Sequence, residues 1–550
     1  MKSILLLLGI IVSLTGLGFG QSTNMQEDVS ITSKGRKTEV RMSSRGNLSV
    51  NVAPKDAQMF QSRGWVGYDD LGARGDGVAD DFDVIVATHA YANRQGLSVK
   101  ANDDAIYYLS GKKRTAIIQT DTDFGKAIFI IDDRDVEDRT AQVFMVSSTL
   151  RPYKLEGISS LKRNQAKLDV TLPATSLITV NDASVRRYIR FGPNQNNGAP
   201  QTDIFIVDKS GNVDMDAPII WDFDQITDIT ALPMDEATLT IRGGKFTTIA
   251  NQAESKYTYY SRGIGIKRSN VLVDGLEHRV TGEGDHGAPY GGFINVSECA
   301  YVTVQNSLLT GHKTYQTIGS AGVSVSMGTY DISLGRALNV SFVNCSQTND
   351  INDTQYWGLM GSNYCKNLIL DRCVFSRFDA HMGVANATVK NSILGHQGIN
   401  AIGSGTFLLE NSTVYGRNLI NLRSDYGSTW EGELIIRNTV FVPAAGRNVR
   451  ASLISGSNSG QHDFGYICYM PERIRIENLR IEDYNHPEDY QGPAIFGNFN
   501  PQMVDEGYKE AYPYILTKEV VLENVEVYSG NDLRVSDNPF MFRNVRISSE

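Results

Sequence analysis

Two stretches, ATVKNSIL at 387–394 and FLLENSTV at 407–414, share one pattern: apolar, any, apolar, polar, Asn, small, any, apolar. Their asparagines, Asn391 and Asn411, lie 20 residues apart. The pattern also occurs as VTVQNSLL (302–309), VSFVNCSQ (340–347), LILDRCVF (368–375), LIIRNTVF (434–441), IRIENLRI (474–481) and VVLENVEV (520–527), and as MFRNVRI near the end of the chain. In VTVQNSLL, period-two alternation puts Val302 and Val304 on one face and Gln305 on the other, as a half-buried strand requires. After Asn306 the alternation resumes in shifted phase, with Ser307 and Leu309 inward and Leu308 outward, so the chain bends at the Asn. Asparagine tolerates left-handed backbone geometry and hydrogen-bonds locally, which suits such a bend. A coil of about twenty residues bent in this way is one turn of a parallel β-helix, with equivalent residues stacked about 4.8 Å apart. Asn306, Asn344, Asn391, Asn411, Asn438, Asn478, Asn524 and Asn544 are then expected to form an internal ladder, interrupted by Arg372. Longer gaps, such as the 27 residues from Asn411 to Asn438, mark loops inserted into the coils.

Composition agrees with one elongated repetitive unit. A chain of 550 residues is too long for one ordinary compact core, and it carries 51 glycines but only 15 prolines, with few helical periodicities after about residue 95. Five cysteines do not make a disulfide scaffold, and their spacings match no zinc pattern. Cys345 and Cys373 share the inward place of Ser307, Ser392, Ser412 and Thr439, so they are expected to be small buried fillers in contact with each other. The net charge of −10 excludes a general nucleic-acid or polyanion coat but leaves room for a local basic cleft. The opening MKSILLLLGIIVSLTGLGFGQ has a lysine, an apolar run and small residues before Gln21, as a secretory signal peptide does. A membrane anchor is the alternative, but no later segment is apolar for long enough to span a bilayer, and no cysteine sits at the cleavage site to carry lipid. The expected location is secreted or periplasmic, in a bacterium.

Residues 68–101, YDDLGARGDGVADDFDVIVATHAYANRQGLSVKA, predict a helix: Gly75 and Gly77 make a turn, Asp80 or Asp81 caps, and Ile85, Ala87 and Ala90 supply an apolar face. Such a helix would cover the open end of the solenoid. GARGDGVADD followed by a helix resembles the N-terminal cap of the pectate lyase superfamily of right-handed β-helix proteins. The stretch from GSNYCKNLILDRCVFSRFDAHMGV through LRSDYGSTW resembles exported bacterial polysaccharide lyases that act on uronate-containing glycans such as glycosaminoglycans. The resemblance implies an all-β, single-stranded right-handed parallel β-helix with an N-terminal helical cap. It does not choose a reaction, because the superfamily includes lyases, hydrolases, tailspikes and epimerases. The expected organisation is a signal peptide at 1–20, an extension at 21–66, the cap at 67–102, early coils with an irregular strand-rich excursion at 103–236, and regular coils carrying the groove at 237–550.

A third strand follows each post-Asn strand: AHMGV (380–384), GINAI (398–402) and LINLR (419–423). Aligning Met382, Ala401 and Leu422 inward places His381, Asn400 and Asn421 in one outward column, with Gly383, Ile402 and Arg423 in the next. The turns feeding these strands carry His312 in GHKTY, Arg377 and Asp379 in SRFDAH, His396 in LGHQG and Arg417 in YGRN, and Tyr426 and Trp430 follow in RSDYGSTW. A polar column on an outer face is usually only solvated surface. Here a histidine, two asparagines, arginines and aromatics converge on the face along which the resemblance places the substrate groove.

Elimination from a uronate needs its carboxylate neutralised, a base for the C5 proton and an acid for the leaving oxygen. Asn400, Asn421, Arg377 and Arg423 suit the first task. His381, with an ordinary pKa near 6.5, is the candidate base. Tyr426 is the candidate acid, or the base if the roles are exchanged, and Asp379 orients Arg377 or His381. Asn421, Asp379, His396, Arg417, Trp430 and His312 are candidates for substrate contacts, Trp430 as a sugar platform or else a loop anchor. A hydrolase on the same fold would use Asp379 and Asp425 as its carboxylate pair. A noncatalytic glycan-binding or structural β-helix would need only the groove. Calcium-assisted chemistry would want clustered outward carboxylates, which the columns do not contain, so no cofactor is expected. The expected partner is an acidic polysaccharide, with no nucleic acid and no stable membrane anchor. Sequence leaves the oligomeric state open.

Overall fold

The computed structural model describes residues 29–32, 37–443, 451–457, 459–542 and 545–549. The proposed signal peptide and Asn544 lie outside them. The protein is a right-handed parallel β-helix, in which successive coils pair in parallel from Trp65–Gly67 through Arg546–Ser549.

The coils stack in the register that the repeat predicts. Ala387 pairs with Phe407, Phe407 with Leu434, Leu434 with Ile474 and Ile474 with Val520. The bend residues Asn306, Asn344, Arg372, Asn391, Asn411, Asn438, Asn478 and Asn524 all have φ between 48° and 54°. Their amides form a ladder: Nδ2 of Asn411 donates to Oδ1 of Asn391 (3.3 Å), Asn438 to Asn411 (3.1 Å), Asn478 to Asn438 and Asn524 to Asn478 (both 2.9 Å). Asn391 bypasses Arg372 and donates to Asp371 (2.9 Å). The expectation of an internal ladder is corrected, because these side chains are exposed. A left-handed residue at a convex corner throws its side chain outward, and the next residue, such as Ser392 or Ser412, turns in.

The interior is a set of like residues stacked coil on coil. Phe129 lies on Phe246 with ring centroids 4.8 Å apart, and in register with Phe246 comes His278. All five cysteines are buried and unbridged, and Cys345 and Cys373 lie in register on adjacent coils with their thiols donating to the Val304 and Phe342 carbonyls (3.4 and 3.3 Å), in the shared slot that the repeat predicts.

Two helices precede the regular coils, α1 (Pro54–Arg63) and α2 (Phe82–Gln95). The second buries Phe82, Ile85, Val86, Ala87 and Tyr91 over the first coils, each large side chain contributing about 1.5–3 kcal/mol. Asp81 is its N-cap residue, but its carboxylate accepts from the amides of Arg74 (2.7 Å) and Gly75 (3.0 Å) in the preceding turn. Asp80 accepts instead from the amide of Phe82 (3.2 Å).

Between Phe144–Ser147 and Leu239–Ile249 the chain leaves the solenoid to build a four-stranded antiparallel sheet from Tyr153–Lys154, Asp228–Pro233, Ser176–Arg187 and Ala199–Val207. One face of this sheet packs a small core of its own around Phe205 and Phe223. Leu177, Ile204 and Ile206 dock it on Ala300 and Leu338 of the coils, and a fully buried ion pair, Lys366 to Asp203 (2.8 Å), pins it.

The ladder yields a direct test. Replacing Asn411 with Ala puts a Cβ-bearing residue without a side-chain amide at positive φ and removes two amide bonds, and should cost about 1–3 kcal/mol in urea unfolding. Asn411→Gly, free of the φ penalty, should cost less. Equal losses for the two variants would mean that the left-handed corner is not what Asn411 secures.

Candidate functional site

The strand Val374–Lys390 carries Arg377, Asp379 and His381 on its outer face, with Phe378 and Ala380 turned into the core. Ala380 pairs with Ala401, and Ala401 with Leu422. The outward column is therefore Asp379, Asn400 and Asn421, which corrects the expected alignment of His381 with the two asparagines by two residues. The cause is a bulge: Ala380 pairs with Ala401 and Val384 with Gly403, so His381–Gly383 oppose only one residue. Gly383 has φ of 86°, and a Cβ there would collide with the Tyr188 hydroxyl.

Asp379 is fully buried at the centre of an ionic chain. It accepts from Arg377 (2.8 Å) and from Arg423 Nη1 (3.0 and 3.2 Å). Arg423 continues to Asp425 (3.0 and 3.2 Å), which also takes Arg190 at 2.7 Å. Arg190 comes from the antiparallel excursion and lies over the Tyr426 ring at 5.4 Å. Burial pushes both carboxyls up, but the guanidiniums outweigh it and hold Asp379 and Asp425 below the usual carboxylate range. Arg377 stacks on Trp357 at 4.7 Å, and the Tyr330 ring lies over Gly361 beside Asp379, a contact that a side chain at Gly361 would block. Two guanidinium donors, Nε of Arg190 and Nε of Arg377, are buried without a hydrogen-bond partner among the described residues.

His381 is half-buried, edge-on to Tyr426 at 5.1 Å, where a position facing open solvent was expected. Its Nδ1 donates to Asn363 Oδ1 (3.0 Å), which leaves the Nε2 lone pair free of the described residues. Burial, with Arg423 nearby, lowers its pKa to about 3, so it is neutral at neutral pH and not poised near 6.5. Tyr426 is buried, and burial raises its phenol to about 12.

The asparagines stiffen the floor: Asn421 Nδ2 donates to Asn400 Oδ1 (2.8 Å), and Asn400 Nδ2 to the Gln397 carbonyl (2.7 Å). Four expected contact residues fall elsewhere. Trp430 is wholly in the core, packed on Phe407 with its Nε1 donating to the Gly405 carbonyl (3.1 Å), so it is no sugar platform. His396 is tied by Nδ1 to the Ile351 carbonyl (2.9 Å), and Arg417 is exposed in a turn beyond the cluster. His312 is buried at a corner of earlier coils, between Glu283 and Asp331 (both 3.2 Å) and stacked on Tyr290. Asp331 also binds His278 (2.7 Å). Sequence reasoning missed Arg190, Tyr188, Asn363, Tyr330 and Trp357, which lie outside the column pattern that located the rest. Among the described residues no group of three or more His, Cys, Asp or Glu side chains is placed to hold a metal ion.

No protein-family model matches this chain, and no curated protein does. Among solved structures it is similar to the tailspike gp61 of Pseudomonas phage phi297, with 12% identity and a TM-score of 0.55 over 88% of this chain and 84% of that one. The Gp54 tailspike of Acinetobacter baumannii bacteriophage AP22, in complex with a capsular saccharide, matches over 92% of this chain and 81% of its own, with 10% identity and a TM-score of 0.49. The tailspike gp49 of Pseudomonas phage LKA1 matches over 86% and 83%, with 13% identity and a TM-score of 0.47. At 12% identity, the likeness to the phi297 tailspike is one of fold.

The corner cluster gives a pH prediction. Burial opposes a charge on His312, but its hydrogen bonds to Asp331 and Glu283 outweigh this and raise it from 6.5 to about 9. Its contribution to stability is then fully present below pH 6.5 and lost as pH rises through about 9. The stability difference between wild type and His312→Gln should shrink by roughly 2–4 kcal/mol across that window. A difference independent of pH would show that His312 is neutral.

Proposed function

We propose that the protein is an exported polysaccharide lyase that cleaves a uronate-containing glycan by β-elimination. The observation that carries this reading is the charge balance of the buried cluster. Three guanidiniums, Arg190, Arg377 and Arg423, face two carboxylates, leaving one positive charge and two unpartnered Nε–H donors beside a neutral imidazole. A carboxylate of the substrate completes that balance, and its neutralisation acidifies the C5 proton.

His381 Nε2 takes the C5 proton, while Asn363 holds the other nitrogen protonated and so keeps the lone pair at Nε2. The C5–H electron pair becomes the C4–C5 double bond as the C4–O bond breaks. The Tyr426 phenol, protonated up to about pH 12, gives its proton to the leaving oxygen. The same electrostatics disfavour a hydrolase built on Asp379 and Asp425. Such an enzyme needs one carboxyl with a raised pKa to act as an acid, and both are held low by arginines. The resemblance of SRFDAHMGV and its flanks to lyases of glycosaminoglycan-type substrates supports the same reading.

The test is a panel of uronate polysaccharides, followed by the ultraviolet absorbance of an unsaturated uronate. New reducing ends without absorbance would indicate a hydrolase, and retention without cleavage a binding module. On a cleaved substrate, His381→Ala should lower kcat by about a hundredfold or more with KM little changed, in a folded variant that loses only the Tyr426 and Asn363 contacts. Because the base works as neutral imidazole and its pKa is depressed to about 3, the acid limb of kcat/KM should lie well below pH 6.5. An acid limb at pH 6.5 would show that the imidazole is not depressed, and near-normal turnover by the variant would take the base role away from His381.

A further inference from the structure

The excursion does more than supply Arg190. Its segment 187–197 is the tip of the hairpin between Ser176–Arg187 and Ala199–Val207, with Arg190 and Asn196 paired across it, and it reaches over the outward face of the coils, tied down at its base and at its tip. At one end the Ile189 amide donates to the Phe464 carbonyl and the Phe191 amide to the Asp425 carbonyl (both 3.0 Å). The Arg187 guanidinium binds the Gly465 carbonyl, and Tyr188 packs with Tyr364, Met382, Ile402, Tyr426 and Tyr466 above Gly383. At the other end Asn194 Nδ2 donates to the Tyr257 hydroxyl (2.9 Å). There the Ala321 amide donates to the Pro193 carbonyl (3.0 Å) and the Ser320 hydroxyl to the Gln195 carbonyl (2.8 Å).

The two anchor sets lie on opposite sides of the groove. Gly383 and Asp425 follow their floor residues Asp379 and Asn421 in the chain, whereas Tyr257 and 319–321 precede the floor strands that begin at Ile264 and Tyr330. The strap therefore crosses the groove obliquely, from the exit side of the later coils to the entry side of the earlier ones. Beside it, Asp379 is fully buried and the side chains of Arg377 and Arg423 are only 4% and 12% exposed, although all three stand on the outer face of the sheet; Arg190 covers Arg423 through Asp425, and Trp357 covers Arg377. A polymer lying along an open groove would have to displace this two-stranded finger, which hydrogen bonds at its tip latch to the far side.

We infer that the site receives the end of a polysaccharide chain and not its interior, so that the enzyme is exo-acting, with the strap 187–197 as the barrier that makes it so. This rests on the reading of the Asp379–Arg423 cluster as the cleavage site. Arg190 then does two jobs: it closes the ionic chain through Asp425 and presents its free Nε to the carboxylate of the terminal or penultimate residue.

The experiment uses the wild-type protein and whichever polysaccharide of the panel it cleaves. At fixed mass concentration below KM, shortening the polymer tenfold multiplies chain ends, and the initial rate should rise about tenfold. The products should be one small oligosaccharide from the first time points, with the remaining polymer keeping its size and viscosity. A rate independent of chain length, with an early fall in viscosity and a spread of product sizes, would overturn the inference. In a variant lacking residues 193–196, internal cleavage should appear, and its absence in a folded variant would show that the strap is not the barrier. Reducing ends that scale with chain ends but carry no unsaturated product would refute the lyase chemistry and uphold the inference. Failure to cleave or bind any substrate of the panel would remove the proposed function, and the inference with it.

Discussion

The solenoid depends on where its backbone can turn with positive φ. Each coil has corners at which an L-residue must enter the left-handed region, a conformation that costs most side chains about 1–2 kcal/mol. Such columns among the described residues include Glu298, Arg336, Tyr364 and Gly383; Tyr301, Asn339, Asn367 and Asn386; and the column from Asn306 to Asn524. Asparagine offsets the cost because its amide bonds the next coil, as in Asn367 to Asn339 (2.8 Å) and Asn386 to Asn367 (3.1 Å). Once the corners stack, strand lengths between them are set, and the register of every inward and outward column follows. The face that carries Asp379, Asn400 and Asn421 is flat and aligned because the corners on either side of it are.

On that face the electrostatics serve chemistry better than stability. A buried ion cluster is weak evidence of a stability gain, since desolvation offsets much of the Coulomb attraction. Asp379 is tolerable at zero exposure only because two guanidiniums flank it. Burial, helped by Arg423, keeps the His381 imidazole neutral with its lone pair available, while the same arginine steadies two carboxylates. The charges are coupled through contact geometry, which the paired strands of the sheet hold in register.

The periodic part of this structure was readable from sequence, and the aperiodic part was not. The Asn repeat is a local pattern with a local cause, so it revealed the coils, their register and the shared slot of Cys345 and Cys373. SRFDAH also lies where the spacing put it, and Arg377, Asp379, Arg423 and Tyr426 do converge. The alignment failed at His381 because a bulge with Gly383 at positive φ looks, in sequence, like two more residues of strand. Trp430 failed for a related reason: a residue between a tight turn and a strand has no alternation behind it to say which way it faces. His312 sits in a corner where a buried imidazole between two carboxylates is stable, and no periodicity marks such a place. Arg190 and Asn363 reach the cluster through contacts between segments remote in the chain, which no single-segment pattern encodes.

A parallel solenoid is quasi-one-dimensional, and its outer face is an open trough by construction. Closing that trough needs a segment from outside the repeat, and the antiparallel excursion is such a segment. Its docking surface is the run of small and aliphatic positions at Ala300 and Leu338, beside the second column of corners. The repeat is altered where the excursion's strap lands. In the column Glu298, Arg336, Tyr364, Gly383, the fourth residue alone has lost its side chain, and it is the one beneath the Tyr188 hydroxyl. A regular coil would have put a side chain there and lifted Tyr188, and with it Arg190, away from Asp425. The glycine that hid the register of His381 from sequence is thus the residue that lets the roof sit low enough to complete the ionic chain.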